Sequence, residues 1–151
     1  MDERTHWLAW AAGIIDGEGW IGLSSVSRGY RCLRIEVAQT DIRLPYKLKE
    51  IFMCGSVKPQ RHNARRGWKP VWRWYVSGED AANVLRLTLQ WLVVKREQAE
   101  IAILSRQYVQ RSGRKANVAA MHEVARQLTW LKANPKQESA GQSAPLAENK
   151  E

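Results

Sequence analysis

Apolar residues recur along this chain with three different periods. From Trp7 to Ile15 they run for nine residues, interrupted only by Gly13, and stop at Asp16. This predicts a helix over residues 6–16, capped by Thr5, that is apolar on every side and so buried all round. Ala12 and Gly13 in its middle are small enough for another backbone to approach closely, as a helix-to-helix seam requires. From Trp20 to Gln39 the period becomes two. Ile21, Leu23, Leu33, Ile35 and Val37 alternate with Gly22, Ser24, Arg34 and Glu36, which predicts a hairpin turning near Arg28 and Gly29. A helix over 43–53 follows, with Pro45 tolerated in its first turn. Strands are then expected over 56–60 and 71–76, joined by the basic loop 61–67. Ser77 is the expected N-cap of a helix running to Trp91. Further helices fit 95–112 and 115–134, punctuated by Gly113 and Pro135.

The order is α-β-β-α-β-β-α followed by helices, an α+β layout with one sheet face apolar and the other basic. One domain is expected over 1–134. Residues 135–151 are polar and rich in Ala, Ser and Gly, and are expected to be a disordered tail. A length of 151 residues leaves no room for a second domain of equal size. A membrane span needs roughly 20 apolar residues, so a chain away from membranes is expected, in the cytoplasm of a prokaryote or in an organelle. Cys32 and Cys54 form no CxxC pair and suggest neither a disulfide framework nor a zinc site.

Charge changes the picture more. The chain carries 24 Lys and Arg against 15 Asp and Glu. Between Arg28 and Arg73 there are twelve bases and three acids, so this segment holds the whole excess of +9. A solvated basic surface would spread its excess along the chain. A concentrated one is the footprint of a nucleic-acid contact. Strand parity then selects the side chains that face the polyanion. On the first hairpin these are Ser24, Arg28, Tyr30, Arg34 and Glu36; on the second, Lys58, Gln60 and Arg73, with Arg61, Arg65 and Arg66 in the loop between. Trp72 and Trp74 have the opposite parity and are expected in the core. His62 is read as a loop contact and His122 as helix surface. Arg126 and Lys132 lie outside the segment and are expected to take no part in DNA binding.

Asp16-Gly17-Glu18-Gly19 places two carboxylates at the end of the first helix, where the macrodipole is already negative. A cation meeting them there would offset the cost, so the turn is a candidate metal site. The segment Ala11-Ala12-Gly13-Ile14-Ile15-Asp16-Gly17-Glu18-Gly19 resembles the signature of the LAGLIDADG homing endonucleases. In that family the signature helix is followed by two strands, a helix, two strands and a helix. The likeness therefore covers about residues 7–107 and implies a curved antiparallel DNA-binding sheet, with extra helices C-terminal to it.

The resemblance implies that Glu18, the last acid of the signature, binds the catalytic metal, with Asp16 or backbone near Gly17 as further donors. It gives Asp16 a supporting role near the helix end. It also places the water-organising Gln on Gln39, the active-site Lys on Lys95 and a backbone-holding Arg on Arg43. Trp20 departs from the small residue often found after the signature, and either crowds the cleft or turns aside.

No second Gly-x-x-Asp-x-Glu-Gly segment exists in the chain, so cutting both strands of a duplex requires two copies paired through Ala12 and Gly13. The resulting expectation is a homodimeric, site-specific double-strand DNA endonuclease using Mg²⁺, with Mn²⁺ able to substitute, on a long pseudo-palindromic target. No membrane and no small-molecule substrate is implied. The alternative is a non-enzymatic module of the same fold, an intron-splicing maturase or a DNA-binding regulator. A single-stranded RNA binder fits less well, because most aromatics lie at core parity.

Overall fold

The computed structural model describes residues 2–60, 66–109 and 115–136. The first helix, α1, spans Glu3–Glu18 and starts earlier than the apolar run implies, because Asp2 and not Thr5 is its N-cap. The Asp2 carboxylate accepts the Thr5 backbone N–H at 2.7 Å, and Glu3 in the first turn suits the positive helix end. The expectation of burial all round is overturned. Leu8, Ala11, Ala12 and Ile15 form one buried stripe, whereas Gly13, Gly17 and Glu18 are exposed and Trp10 and Ile14 half-buried. Positions 10, 13, 14 and 17 therefore make a second helical stripe that the described residues cover only in part.

Strands β1 (Gly19–Ser25) and β2 (Arg31–Gln39) pair antiparallel, with Ile21 opposite Ile35 and Leu23 opposite Leu33. Their connection turns where expected, with Arg28 and Gly29 both at positive φ and the Tyr30 N–H donating to the Ser27 carbonyl. Helix α2 (Arg43–Phe52) crosses to the far edge of the sheet, where β3 (Ser56–Gln60) pairs with β4 (Val71–Ser77). β4 inserts beside β2 and sets Val37 opposite Trp74 and Ile35 opposite Val76, giving the sheet order β1-β2-β4-β3. The register puts every inward apolar side chain on one face. There Ile15, Ile21, Leu33, Ile35, Val37, Leu48, Trp74 and Leu85 share one core. Trp74 is fully buried, stacks on Phe52 at 5.6 Å and donates its indole N–H to the Cys54 carbonyl; Trp72 is half-buried.

Helix α3 (Gly78–Thr88) follows Ser77, which holds the N-cap position without making a side-chain capping bond. A 3₁₀ turn over Leu89–Trp91 and helix α4 (Arg96–Leu104) come next. The helix expected to reach residue 112 passes into a 3₁₀ turn at Ser105–Tyr108, where the buried Ser105 hydroxyl donates back to the Ala102 carbonyl. Helix α5 spans Val118–Ala133 and begins three residues later than expected, because the Asn117 side chain caps it by accepting the Ala120 N–H. The break expected at Gly113, the loop residues 61–65 and the tail from 137 lie outside the described residues. Among the described residues no helix is long and apolar enough to cross a membrane.

Gly55 sits at φ +83°, and a Cβ there would lie 2.5 Å from the Trp74 indole nitrogen and 2.7 Å from the Tyr75 carbonyl. Gly55→Ala should cost about 2–4 kcal/mol, since it adds left-handed strain to displacement of the central Trp. Gly29→Ala, also at positive φ but in open space, should cost only about 1 kcal/mol. Urea unfolding of the two variants checks the ranking.

Candidate active site and DNA interface

The C-terminal end of α1 meets the turn that precedes α4. There the Asp16 carboxylate accepts three backbone N–H groups, from Val93 at 2.6 Å, Val94 at 3.3 Å and Lys95 at 2.9 Å. The Lys95 ammonium returns the contact by donating to the Asp16 carbonyl. The bonds of Asp16 thus run to a turn far along the chain, beyond its own helix end. Burial pushes the Lys95 amine below the ordinary lysine pKa, while the Asp16 and Glu18 carboxylates oppose that shift.

Glu18 is the last residue of α1, and its exposed carboxylate makes no hydrogen bond or ion pair with the other described residues. Among the described residues no three His, Cys, Asp or Glu side chains converge into a metal cage. With Asp16 engaged by amides, the donor set is one free carboxylate beside exposed Gly17. That set fits Mg²⁺, which keeps several waters and completes its shell with phosphate oxygens.

Gln39 ends β2 at the same end of the sheet, two residues past the Gly19–Val37 rung. Its side-chain carbonyl accepts from the Thr40 N–H and hydroxyl, which fixes that end of the amide. Arg43 opens α2 and grips Asp41, with its Nε 3.0 and 3.1 Å from the two carboxylate oxygens. Hydrogen bonding from Arg43 pulls Asp41 down to about 2, so the pair persists where an ordinary carboxylate would protonate. Of the expected seam, Ala12 is buried within the chain and only Gly13 reaches the surface.

The polar sheet face carries the expected side chains. Glu36 pairs with Arg34 at 2.7 Å and with Arg73 at 3.1 Å, and the Arg34 guanidinium lies 4.4 Å over the Tyr75 ring. Lys58 lies over the other side of this cluster, 5.7 Å from the Tyr75 centroid, and its hydrogen bonding holds the phenol below its ordinary pKa. The sequence reading missed Tyr75, although its parity with Arg73 marks it. Ser24 donates to the Cys32 carbonyl, Arg28 is exposed at the hairpin tip and Tyr30 is half-buried beside it. Gln60 ends β3, and Arg66 stacks near the exposed Trp68. Arg61, His62 and Arg65 lie outside the described residues. His122 is tied to the hairpin by the Arg31 Nε–H. Trp20 turns aside along the sheet and lies across Gly22.

Asp16→Asn should cost about 1–3 kcal/mol, because an amide replaces a carboxylate before three N–H donors. It should also lower the Lys95 pKa further, since the Asp16 charge raises it. Denaturant unfolding and NMR titration of the lysine side chain measure the two effects.

No family model and no curated protein sequence matches the chain. Solved structures do. The homing endonuclease I-CvuI, in complex with its target in the presence of calcium, superposes with a TM-score of 0.70 at 21% identity, over 89% of this chain and 87% of that one. The archaeal intron-encoded homing endonuclease I-Vdi141I, complexed with DNA, gives 0.67 at 15% identity over 92% and 91%. The DNA-bound meganuclease I-SmaMI gives 0.63 at 16% identity, over 85% of this chain but 45% of its own. Together with the α+β layout and the antiparallel sheet, these likenesses show that the chain has the fold of the LAGLIDADG homing endonucleases.

Proposed function

We propose that this chain is a site-specific, divalent-metal-dependent DNA endonuclease of the homing type that works as a homodimer. The observation that carries the reading is the division of labour between two acids at one helix end. Asp16 is consumed by three amides, while Glu18 stands exposed and unpaired near the Lys95 ammonium. A carboxylate left free beside an ammonium group is open to a metal ion, and a non-enzymatic binding module does not need that arrangement, which supports the enzyme reading over the maturase or regulator.

Glu18, with backbone near Gly17, would hold Mg²⁺, which when bound activates water and offsets charge on the reacting phosphate. I-CvuI has been crystallised with DNA in calcium and in magnesium, which supports that choice. Gln39 ends β2 at the same end of the sheet, and with its amide oxygen held by Thr40 it would use its amide nitrogen as a donor to order water. Lys95 spends one N–H on the Asp16 carbonyl and keeps two for a phosphate oxygen on which negative charge accumulates. Asp16 positions Lys95 by fixing both its backbone and the turn that carries it.

Two such sites are needed for two strands. The part-exposed stripe of Trp10, Gly13, Ile14 and Gly17, with the exposed Val93 and Val94 nearby, supports pairing about a two-fold axis through α1. This chain spans most of I-CvuI and under half of I-SmaMI, as a unit that works in pairs would. The polar sheet face would then lie in the major groove, with Arg34 and Arg73 toward base edges.

Glu18→Gln should abolish Mg²⁺-dependent cleavage and leave duplex binding within about twofold, because the ion and not the sheet needs that charge. Selection of cleaved or bound duplexes from a randomised library supplies the target for this assay. Cleavage by the variant at the wild-type rate would remove Glu18 from the site. A Cβ at Gly13 meets no atom within 4 Å, so Gly13→Leu should fold as the wild type does. Sedimentation should nonetheless show that variant as a monomer, and it should not cut both strands. A dimeric Gly13→Leu variant with full activity would rule out the seam.

A further inference from the structure

We propose that Lys132, on the last turn of α5, is a DNA phosphate-contacting residue of the cleavage site, and that Trp20 is the platform that holds it there. The inference rests on the nuclease reading above and departs from the expectation that Lys132 lies apart from the DNA surface.

Three observations meet at this point. Trp20 is the second residue of β1, two positions after Glu18, and its parity is that of the polar sheet face. Its ring lies across Gly22: a Cβ at Gly22 would be 2.4 and 2.5 Å from two ring carbons, so only glycine lets the indole rest on the sheet. Trp20 keeps 39% of its surface exposed, and the Lys132 ammonium lies 4.3 Å over its ring centroid. An indole is the best of the aromatic faces for an ammonium ion, so Lys132 is drawn from its helix toward the sheet.

Lys95 is the second observation. It and Lys132 line one groove between α5 and the start of α4, whose two carboxylates are taken by other bases, Glu97 by Lys136 and Glu100 by Arg96. Burial first, and then the Lys95 charge, push the Lys132 amine below the ordinary lysine pKa. Two like charges thus converge, and among the described residues no carboxylate is ion-paired with Lys132. The Asp16 and Glu18 charges partly offset that of Lys95, but Asp16 is held by the three amides and neither acid is ion-paired with Lys132. Two converging ammonium groups attract a further anion, and on the polar face of a nuclease that anion is a DNA phosphate.

The third observation is the choice of side chain. Lysine presents a compact charge on a flexible stem, which can slide over the indole toward a phosphate without the fixed geometry a guanidinium imposes. Trp20 supplies no hydrogen bond to a base edge from its ring face, and Gly22 has no side chain. The start of β1 is thereby given over to holding a charge, and base reading falls to the later rungs.

The test uses the full chain and a random-sequence duplex of about 30 base pairs without divalent metal, with binding titrated at several salt concentrations. Lys132→Met keeps the stem on Trp20 and removes the charge, and Lys132→Gln is its polar counterpart. Both should flatten the slope of log affinity against log salt by about one unit per bound chain. Lys132→Arg and the control Arg126→Gln should keep the wild-type slope. Trp20→Ala should weaken binding, and Lys132→Met made on top of it should cost less than it does alone. Wild-type slopes for both Lys132→Met and Lys132→Gln would overturn the proposal. On the duplex recovered from the library, with protein saturating, Lys132→Met should slow single-turnover cleavage by at least about tenfold. A flattened slope with an unchanged cleavage rate would overturn its placement at the cut. Failure of the wild type to cut any duplex would count against the nuclease reading, while the salt slopes would still decide the phosphate contact.

Discussion

The clamp between Asp16 and the turn at Val93–Lys95 is the interaction on which the site depends. A carboxylate at the C-terminal end of a helix faces carbonyl dipoles of the same sign and is unfavourable there on its own. Three N–H donors reverse that balance, because each points a positive hydrogen at the same anion. The clamp draws the start of α4 onto the end of α1, and Lys95 arrives with it. It also occupies both oxygens of one of the two acids. Glu18, two residues on and past the end of the clamp, makes no bond with the other described residues and is the carboxylate of the turn that the proposed site would use. Which acid meets the amides thus sets the two apart within one acidic turn.

A second constraint is the double stripe of α1. Leu8, Ala11, Ala12 and Ile15 satisfy one side by packing into the chain's own core, where full burial of a Leu or Ile contributes about 1.5–3 kcal/mol. The stripe of Trp10, Gly13, Ile14 and Gly17 has the same spacing but is only half covered, with Trp10 and Ile14 at the rim of the core and the two glycines exposed. An apolar helix run can be recognised in a sequence, but among the described residues the chain fully buries only one side of it. Apolarity on every side does not by itself say what covers the other side, which is why burial all round does not follow from the sequence.

Much of the fold was legible because strands announce themselves by parity. Ile21, Leu23, Leu33, Ile35 and Val37 fixed which face of the first hairpin is core, and with it the outward positions of Arg34 and Glu36. Helix ends were less legible, because caps decide them locally: Asp2 and Asn117 moved two helix starts by their side-chain bonds. The acid turn was legible as chemistry, but its partners stand 77 to 79 residues away, and no periodicity reports a contact of that range. Trp20 and Lys132 were illegible for the same reason. Their meeting needs α5 to pack along the edge strand β1, and the exposed face of a C-terminal helix gives no sign of what it packs beside.

The concentration of charge between Arg28 and Arg73 takes on structure once the sheet is in view. Arg34 and Arg73 share one carboxylate, Glu36, and Arg34 is further held over Tyr75. Such pairing subtracts from the net positive field and so from sequence-independent affinity. What it adds is fixity: a guanidinium held in one place loses little freedom when it meets a base edge. Lys58 joins the same cluster from β3 through Tyr75, whereas Arg28 at the hairpin tip is exposed and among the described residues no carboxylate holds it. The same excess of bases therefore divides by position, the centre of the sheet ordered by its acid and its phenol and the hairpin tip left unpaired; on the proposed reading the first suits base edges and the second a phosphate backbone.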